Sequence, residues 1–355
     1  MNLSSHRNRL RNLAITVGAL ILASAALVAC SDGADGRTIT LVTHDSFAVA
    51  RADLQAFERA HDVDVQILRA GDGGTALNQV ILTKDAPIGD VMFGVDNTFL
   101  TRATDADVFA PYESPELVDV ADEYQLDPTH ALTPIDTGDV CVDFDRTGLA
   151  EAGVEPPTSL EDLTRPIYRG MLVAENPATS SPGLAFLLAT IAEYHDGWGD
   201  YWQRLRDNDV RVVDGWEQAY FSEFSGGGEA GTRPLVVSYA SSPPAAVLDV
   251  EPIPATAPTA AVLTTCFRQV EFAGVLQGTE HPRLARDLVD WMLGEQFQEG
   301  VTQEMFVYPV RADVPIPEVF ERLAPLPEDP FELSPTEIGE HRDDWIDEWT
   351  DIVLR

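Results

Sequence analysis

Among 355 residues there is a single lysine, Lys84, against 59 aspartates and glutamates. Arginine brings the basic residues to 23, and the formal charge is −36. Such a surface repels nucleic acid and anionic lipid headgroups, so neither is expected as a partner. It attracts cations only at short range in salt, and otherwise reads as a solvated acidic coat. Cysteine is nearly as scarce, at three. No CxxC or His-rich spacing surrounds any of them, which argues against a zinc site and leaves the metal set empty. Catalytic signatures are missing too. No GxSxG elbow, HExxH helix or Gly-x-x-x-x-Gly-Lys-Ser/Thr loop occurs, and a hydrolase would need a nucleophile–base pair that is not visible. The chain is therefore expected not to be an enzyme, and no cofactor is implied. There is no internal repeat and no long low-complexity tract.

What is present starts at the N-terminus. Arg7, Arg9 and Arg11 precede an uncharged run from Leu13 to Ala29 that closes Leu27-Val28-Ala29-Cys30. Charged, apolar and small residues in that order make a secretory signal over residues 1–30. Its ending resembles a bacterial lipobox, in which the cysteine is lipidated and becomes the first mature residue. An uncleaved anchor is the other reading, but the run is marginal for a bilayer span and rich in alanine. Either way the body is expected outside the cytoplasm, held on the cell membrane through Cys30. Residues 31–37 form a polar linker that reaches at most about 25 Å. Cys141 and Cys266 remain as an even pair in an oxidising compartment, which permits a disulfide; two buried thiols are the alternative.

The remaining length suggests two lobes, and 45% hydrophobic residues can fill their cores. Residues 38–43, 63–68 and 90–93 read as strands. Helical spacing at Leu54, Phe57 and Ala60 and over 76–82 lies between them. This alternation predicts a largely parallel α/β sheet covered on both faces. A turn precedes a helix start at Ser159-Leu160-Glu161-Asp162. Residues 184–194 are apolar nearly all round, as in a buried helix. Leu235–Ser238 forms another strand. Leu284, Leu288, Trp291 and Met292 share a helical face, and Ser334-Pro335 opens a last helix.

Four loops share one form: a strand, a short polar turn, a helix start. They are Thr43-His44-Asp45-Ser46-Phe47, Gly71-Asp72-Gly73-Gly74-Thr75, Ala178-Thr179-Ser180-Ser181-Pro182-Gly183 and Ser238-Tyr239-Ala240-Ser241-Ser242-Pro243. Ser181 and Ser242 are placed to cap helices, with Pro182 and Pro243 at the first helical position. Amides at such starts bind oxyanions, and open α/β sheets place ligands at the carboxyl ends of strands. Trp216 and Tyr239 are stacking platforms or packing residues. Asp72, Asp96 and Asp136 are carboxylates able to neutralise a cation, or ordinary turn residues.

These loops, together with Gly94-Val95-Asp96-Asn97, Gly215-Trp216-Glu217-Gln218-Ala219-Tyr220, Tyr308-Pro309-Val310 and the tail from Ser334 to Trp349, resemble the thiamine-binding subunit of bacterial ABC importers. The ordered set covers nearly the whole mature chain. The resemblance implies a type II periplasmic-binding-protein-like fold, with lobe 1 at 38–140 plus 267–355, lobe 2 at 141–266, hinge strands and an interlobe cleft. It implies capture of thiamine or a phosphorylated thiamine and delivery to a permease driven by a cytoplasmic ATPase. The same architecture serves other solutes, with ferric iron, a polyamine or an organic anion as the alternatives. By resemblance Asp72-Gly73 and Ser180-Ser181 face the hydroxyethyl or phosphate end of the ligand, and Trp216 with Tyr239, Ala240, Ser241 and Ser242 supplies the remaining contacts. His44, Asp136 and Phe306 complete the candidate set. His44, Arg51, Ala245 and Phe306 stand where relatives carry larger aromatic residues, which thins the aromatic cage and favours a phosphorylated thiamine or another small heterocycle. Cys141 and Cys266 resemble positions on the two strands that cross between the lobes.

Overall fold

Strands β1 (Arg37–Thr43), β2 (Val63–Arg69), β3 (Val91–Asp96), β4 (Phe109–Ala110) and β5 (Thr133–Asp145) open the chain. They are followed by β6 (Leu172–Glu175), β7 (Arg211–Val213), β8 (Leu235–Tyr239), β9 (Thr259–Leu276) and β10 (Tyr308–Pro309). The computed structural model describes residues 37–228 and 230–355. The signal-like segment, Cys30 and residues 31–36 lie outside the described residues. The strands form one sheet in the order β2-β1-β3-β9-β5-β8-β6-β7, with β10 paired to β5 and β4 to β9.

The expected parallel pairing holds only inside each half. β1 runs parallel to β3, and β6 runs parallel to both β7 and β8. At the centre β9 lies antiparallel to β3 and β5, and β5 antiparallel to β8. The reason is topological. β5 carries the chain out of the first half and β9 carries it back, so the two pass in opposite directions. All 13 residues of β5 are buried, as for a strand covered on both faces. Its ladder with β9 breaks between Val140, paired with Phe267, and Val142, paired with Val262. There Val142 N–H donates to Thr265 Oγ1 instead (2.9 Å). A disulfide joins Cys141 to Cys266 across the same break, with Cα atoms 4.1 Å apart.

Local chemistry sets the helix starts. Ser180, not Ser181, caps the helix Ser181–Tyr194; its hydroxyl accepts from Gly183 N–H, and Pro182 stands in the first turn. The cap moves back one residue because Ser180 keeps extended backbone while Ser181 is already helical. Every residue from Ser181 to Ile191 is buried, as the apolar pattern implies. The start expected at Ser159–Asp162 is only a short 3-10 turn, Glu161–Thr164. Ser242 precedes a 3-10 turn, Pro243–Ala246, without capping it. Ser334 does cap the last helix, Pro335–Val353, accepting from Glu337 N–H (3.2 Å).

That last helix rests on both halves of the molecule. Trp349 meets Trp202 edge-on (5.4 Å), and Trp202 meets Phe186 likewise (5.5 Å). Trp202 Nε1 donates to Thr190 Oγ1 (2.9 Å), so its polar edge is satisfied in the core. Earlier in the same helix Arg342 lies over Phe99, from the first half. Residues 335–353 therefore pack against elements of both halves.

Candidate functional site

Five strands end at one place. The loops after β1, β2, β6, β7 and β8 converge on a cavity of about 490 Å³. It is lined by His44, Asp72, Gly73, Ser181, Trp216, Tyr239, Ser242 and Phe306 from the expected set. Carboxyl ends of strands are where open α/β sheets leave room for a ligand.

Asp72 ties the halves together. It precedes the helix Gly73–Leu82, and its Oδ1 accepts from Gly73 N–H (2.7 Å) and Ser181 N–H (3.3 Å). Its Oδ2 accepts from Trp216 N–H (2.8 Å). Burial raises its pKa above the usual range, while these amides and nearby His44 pull it back. Close approach needs glycine here: a Cβ on Gly73 would sit 2.3 Å from Ser181 Oγ, and one on Gly215 3.0 Å from Asp72 Oδ2.

One wall is aromatic. Trp216 stacks on Tyr220, with centroids 4.9 Å apart and planes at 24°, and meets Tyr239 at a steep angle (6.4 Å). The Trp216 ring is pinned by a bond from Nε1 to Ser238 Oγ (3.0 Å), and Ser238 in turn bonds Ser242 (3.0 Å). Acidic groups also line the cavity. Glu271 lines the cavity, 3.5 Å from His44 Nε2. Burial alone would lower the His44 imidazole; the charge and hydrogen bond of Glu271, helped by Asp72 and Asp45, raise it instead.

Asp136 faces Glu271 directly across the β5–β9 ladder. Two carboxylates side by side disfavour each other's charge, so burial first, then Glu271, push Asp136 well above the usual range. Burial lifts Asp96 to about 6. It also raises Asp143 and Glu175 strongly; neither finds a protein hydrogen-bond donor for its carboxylate among the described residues. Each of these groups binds its proton more tightly folded than unfolded, so stability falls as pH rises from about 4 through the folded values. His44 acts in the same direction: its contribution is full below the ordinary imidazole value and is lost as pH rises from there through its raised value. Melting temperature should therefore decline from pH 5 to pH 8. Asp143→Asn should raise it at pH 8 and flatten that decline; a melting curve unchanged in slope would show that Asp143 ionises freely.

Four expected residues stay out of the cavity. Ser180 is consumed as a cap. Ala240 is buried against Cys141 and Cys266. Ser241 Oγ donates to the Phe306 carbonyl. Asp136 does not line the cavity; it stands beside Glu271 on the neighbouring strand. Arg51 is exposed at the start of its helix and does not line the cavity. Sequence reasoning missed Asp45, Asp214, Tyr220, Phe221 and Glu271. Glu271 left a signal: a lone acid inside the apolar strand run Val270-Glu271-Phe272.

Two half-sheets joined by antiparallel crossing strands, with a cavity built from the strand ends of both, define a two-lobed binding protein of the type II periplasmic class. Residues 86–328 match the family model described as bacterial extracellular solute-binding protein. The chain is 30% identical over 322 residues to the thiamine-binding periplasmic protein of Salmonella typhimurium, covering 89% of this chain and 94% of that one. It is 29% identical over 325 residues to the protein of the same name from Brucella suis, covering 90% and 92%. Among solved structures, a periplasmic thiamin binding protein superposes with a TM-score of 0.77 at 28% identity, covering 90% of this chain and 96% of that one. The binding protein AfuA from Actinobacillus pleuropneumoniae shares the fold (TM-score 0.72, 17% identity, coverage 90% and 99%). The chain belongs to the bacterial extracellular solute-binding protein family.

Proposed function

We propose that this protein captures thiamine or a phosphorylated thiamine in the cleft between its lobes and passes it to an ABC permease. The observation that carries this reading is the stacked Trp216–Tyr220 pair lining the same cavity as the carboxylates of Glu271 and Asp72. A flat heteroaromatic cation gains dispersion and cation–π attraction on such a wall and charge neutralisation from the lining carboxylates. The cavity volume falls within the range of about 300–1,000 Å³ usual for small-molecule sites. The names of the relatives point the same way. Lobe 1 would span 38–140 plus 267–355, lobe 2 residues 141–266, and Cys30 would carry the lipid that holds the protein at the outer face of the membrane. Binding across both lobes favours the closed form by the ligand's preference for it. No reaction is assigned to the chain.

A second reading has one observation behind it. Five lining carboxylates also suit a polyamine. Ferric iron has less: among the described residues no group of three or more His, Cys, Asp or Glu is placed to hold a metal ion. Calorimetry and thermal shift with thiamine, its mono- and diphosphate, spermidine and ferric citrate separate these. A thiamine form at 100 times its Kd should add about 2.7 kcal/mol of stability. A response to spermidine or ferric citrate alone would end the thiamine reading.

A further inference from the structure

Asp45, Asp72, Asp214, Glu217 and Glu271 line the cavity, and among the described residues neither lysine nor arginine does. The lining group able to carry positive charge is His44. Its Nε2 lies 3.5 Å from Glu271 Oε1, and both side chains are largely withdrawn from water. The end of β3 packs closely on the imidazole: the Phe93 ring lies 5.4 Å away, and a Cβ on Gly94 would come within 2.7 Å of His44 Cδ2. Like charges that share one carboxylate in a desolvated cleft repel each other. A cationic ligand in this cavity therefore competes with protonated His44 for Glu271.

We infer that Glu271 is the seat of the ligand's positive charge and that His44 holds this seat in the free protein, so that a cation enters by driving the imidazole proton off into solvent. This rests on a cation filling the cleft, as proposed above, and adds how the protein's own charge there is displaced. The surroundings favour a charged imidazole until the ligand arrives. Burial opposes its charge, but Glu271, then Asp72 from the loop after β2 and Asp45 from the same loop as His44, lift it above its ordinary value of 6.5. Glu271 is flanked across the ladders by Asp96 on β3 and Asp136 on β5, both pushed up first by burial. Arg69 on β2 is taken up by the carbonyls of Asp45 and Phe47, and burial keeps the nearby Tyr239 hydroxyl neutral. Binding and protonation are then linked in both directions: the ligand lowers the imidazole value, and acid weakens the ligand.

Calorimetry with thiamine and with spermidine, in buffers of different ionisation enthalpy, counts the protons released. The wild type should release about half a proton or more near pH 7, and its affinity should rise at least about fivefold from pH 6 to pH 8. His44→Gln keeps a polar side chain beside Glu271 without the charge; its affinity should be nearly the same at both pH values and its proton release should vanish. Glu271→Gln should weaken both cations and lower the His44 midpoint followed by NMR, the signal being the one missing from His44→Gln. Binding without proton release would overturn the inference and leave the thiamine reading standing. Release and pH slope retained in His44→Gln would also overturn it, assigning the proton to Asp96 or Asp136. Spermidine binding alone, with the expected proton count, would end the thiamine reading and support the inference. A wild type that binds neither cation ends both. Should Glu271→Gln not fold, His44→Gln decides.

Discussion

Replacing Trp216 by alanine is expected to weaken thiamine binding by about 30- to 1,000-fold, the range of about 2–4 kcal/mol typical of a central aromatic anchor. Trp216 is the ring best prepared to bear a ligand. Tyr220 backs one face, Phe221 closes on its edge (5.6 Å), and Ser238 holds the indole nitrogen. A ring already fixed loses little conformational freedom when a ligand stacks on it. The neighbouring aromatic residues do not replace it, because Tyr220 is buried behind it and Tyr239 points its hydroxyl at Gln269 (3.2 Å). Trp216→Phe separates the two contributions: it keeps a flat face and loses the anchoring hydrogen bond, so its loss should be several-fold smaller. Calorimetry reads both variants, and circular dichroism should show each still folded. An affinity for Trp216→Ala within about threefold of wild type would mean that the ligand does not stack there.

How far the sequence carried the fold depends on whether the information was local. Ser180-Ser181-Pro182 followed by an apolar run specifies a capped, buried helix within a dozen residues, and that helix forms with its cap displaced by one position. Ser334-Pro335 is read as easily. Loop composition likewise pointed to Asp72, Trp216 and Tyr239, all of which meet at the cavity. The antiparallel centre was not legible, because helical and strand periodicity carry no direction; only the path of β5 and β9 between halves sets it. Glu271 was missed for a related reason. Its importance comes from His44, 227 positions earlier, and from Asp136 across the ladder, and no spacing rule joins residues so far apart. Asp136 itself was placed in the site on its charge alone, whereas strand pairing sets it beside Glu271, outside the cavity lining. Ala240 and Ser241 followed from counting a loop as a unit; in the folded chain Tyr239 and Ser242 face the cavity and the two between them face inward.

Removing the disulfide should cost much stability and little affinity. Cys141 and Cys266 are 125 positions apart, and a cross-link closing a loop of that size stabilises by about 3–5 kcal/mol, chiefly by restricting the unfolded chain. Cys141→Ala with Cys266→Ala should therefore lower the melting temperature by roughly 5–10 °C. The bridge sits where β5 and β9 lose their ladder pairing, between Val140 and Val142, so it replaces backbone hydrogen bonds at the crossing between lobes. The sulfurs are packed against Ala240, on the side of β8 turned away from the cavity. Thiamine affinity in the double variant should accordingly stay within a few-fold of wild type. A parallel fall in affinity and stability would instead assign the bridge a part in positioning the lobes. No change in melting temperature would mean that the two thiols are not joined in solution, which alkylation of the unfolded protein with and without reductant would verify by mass.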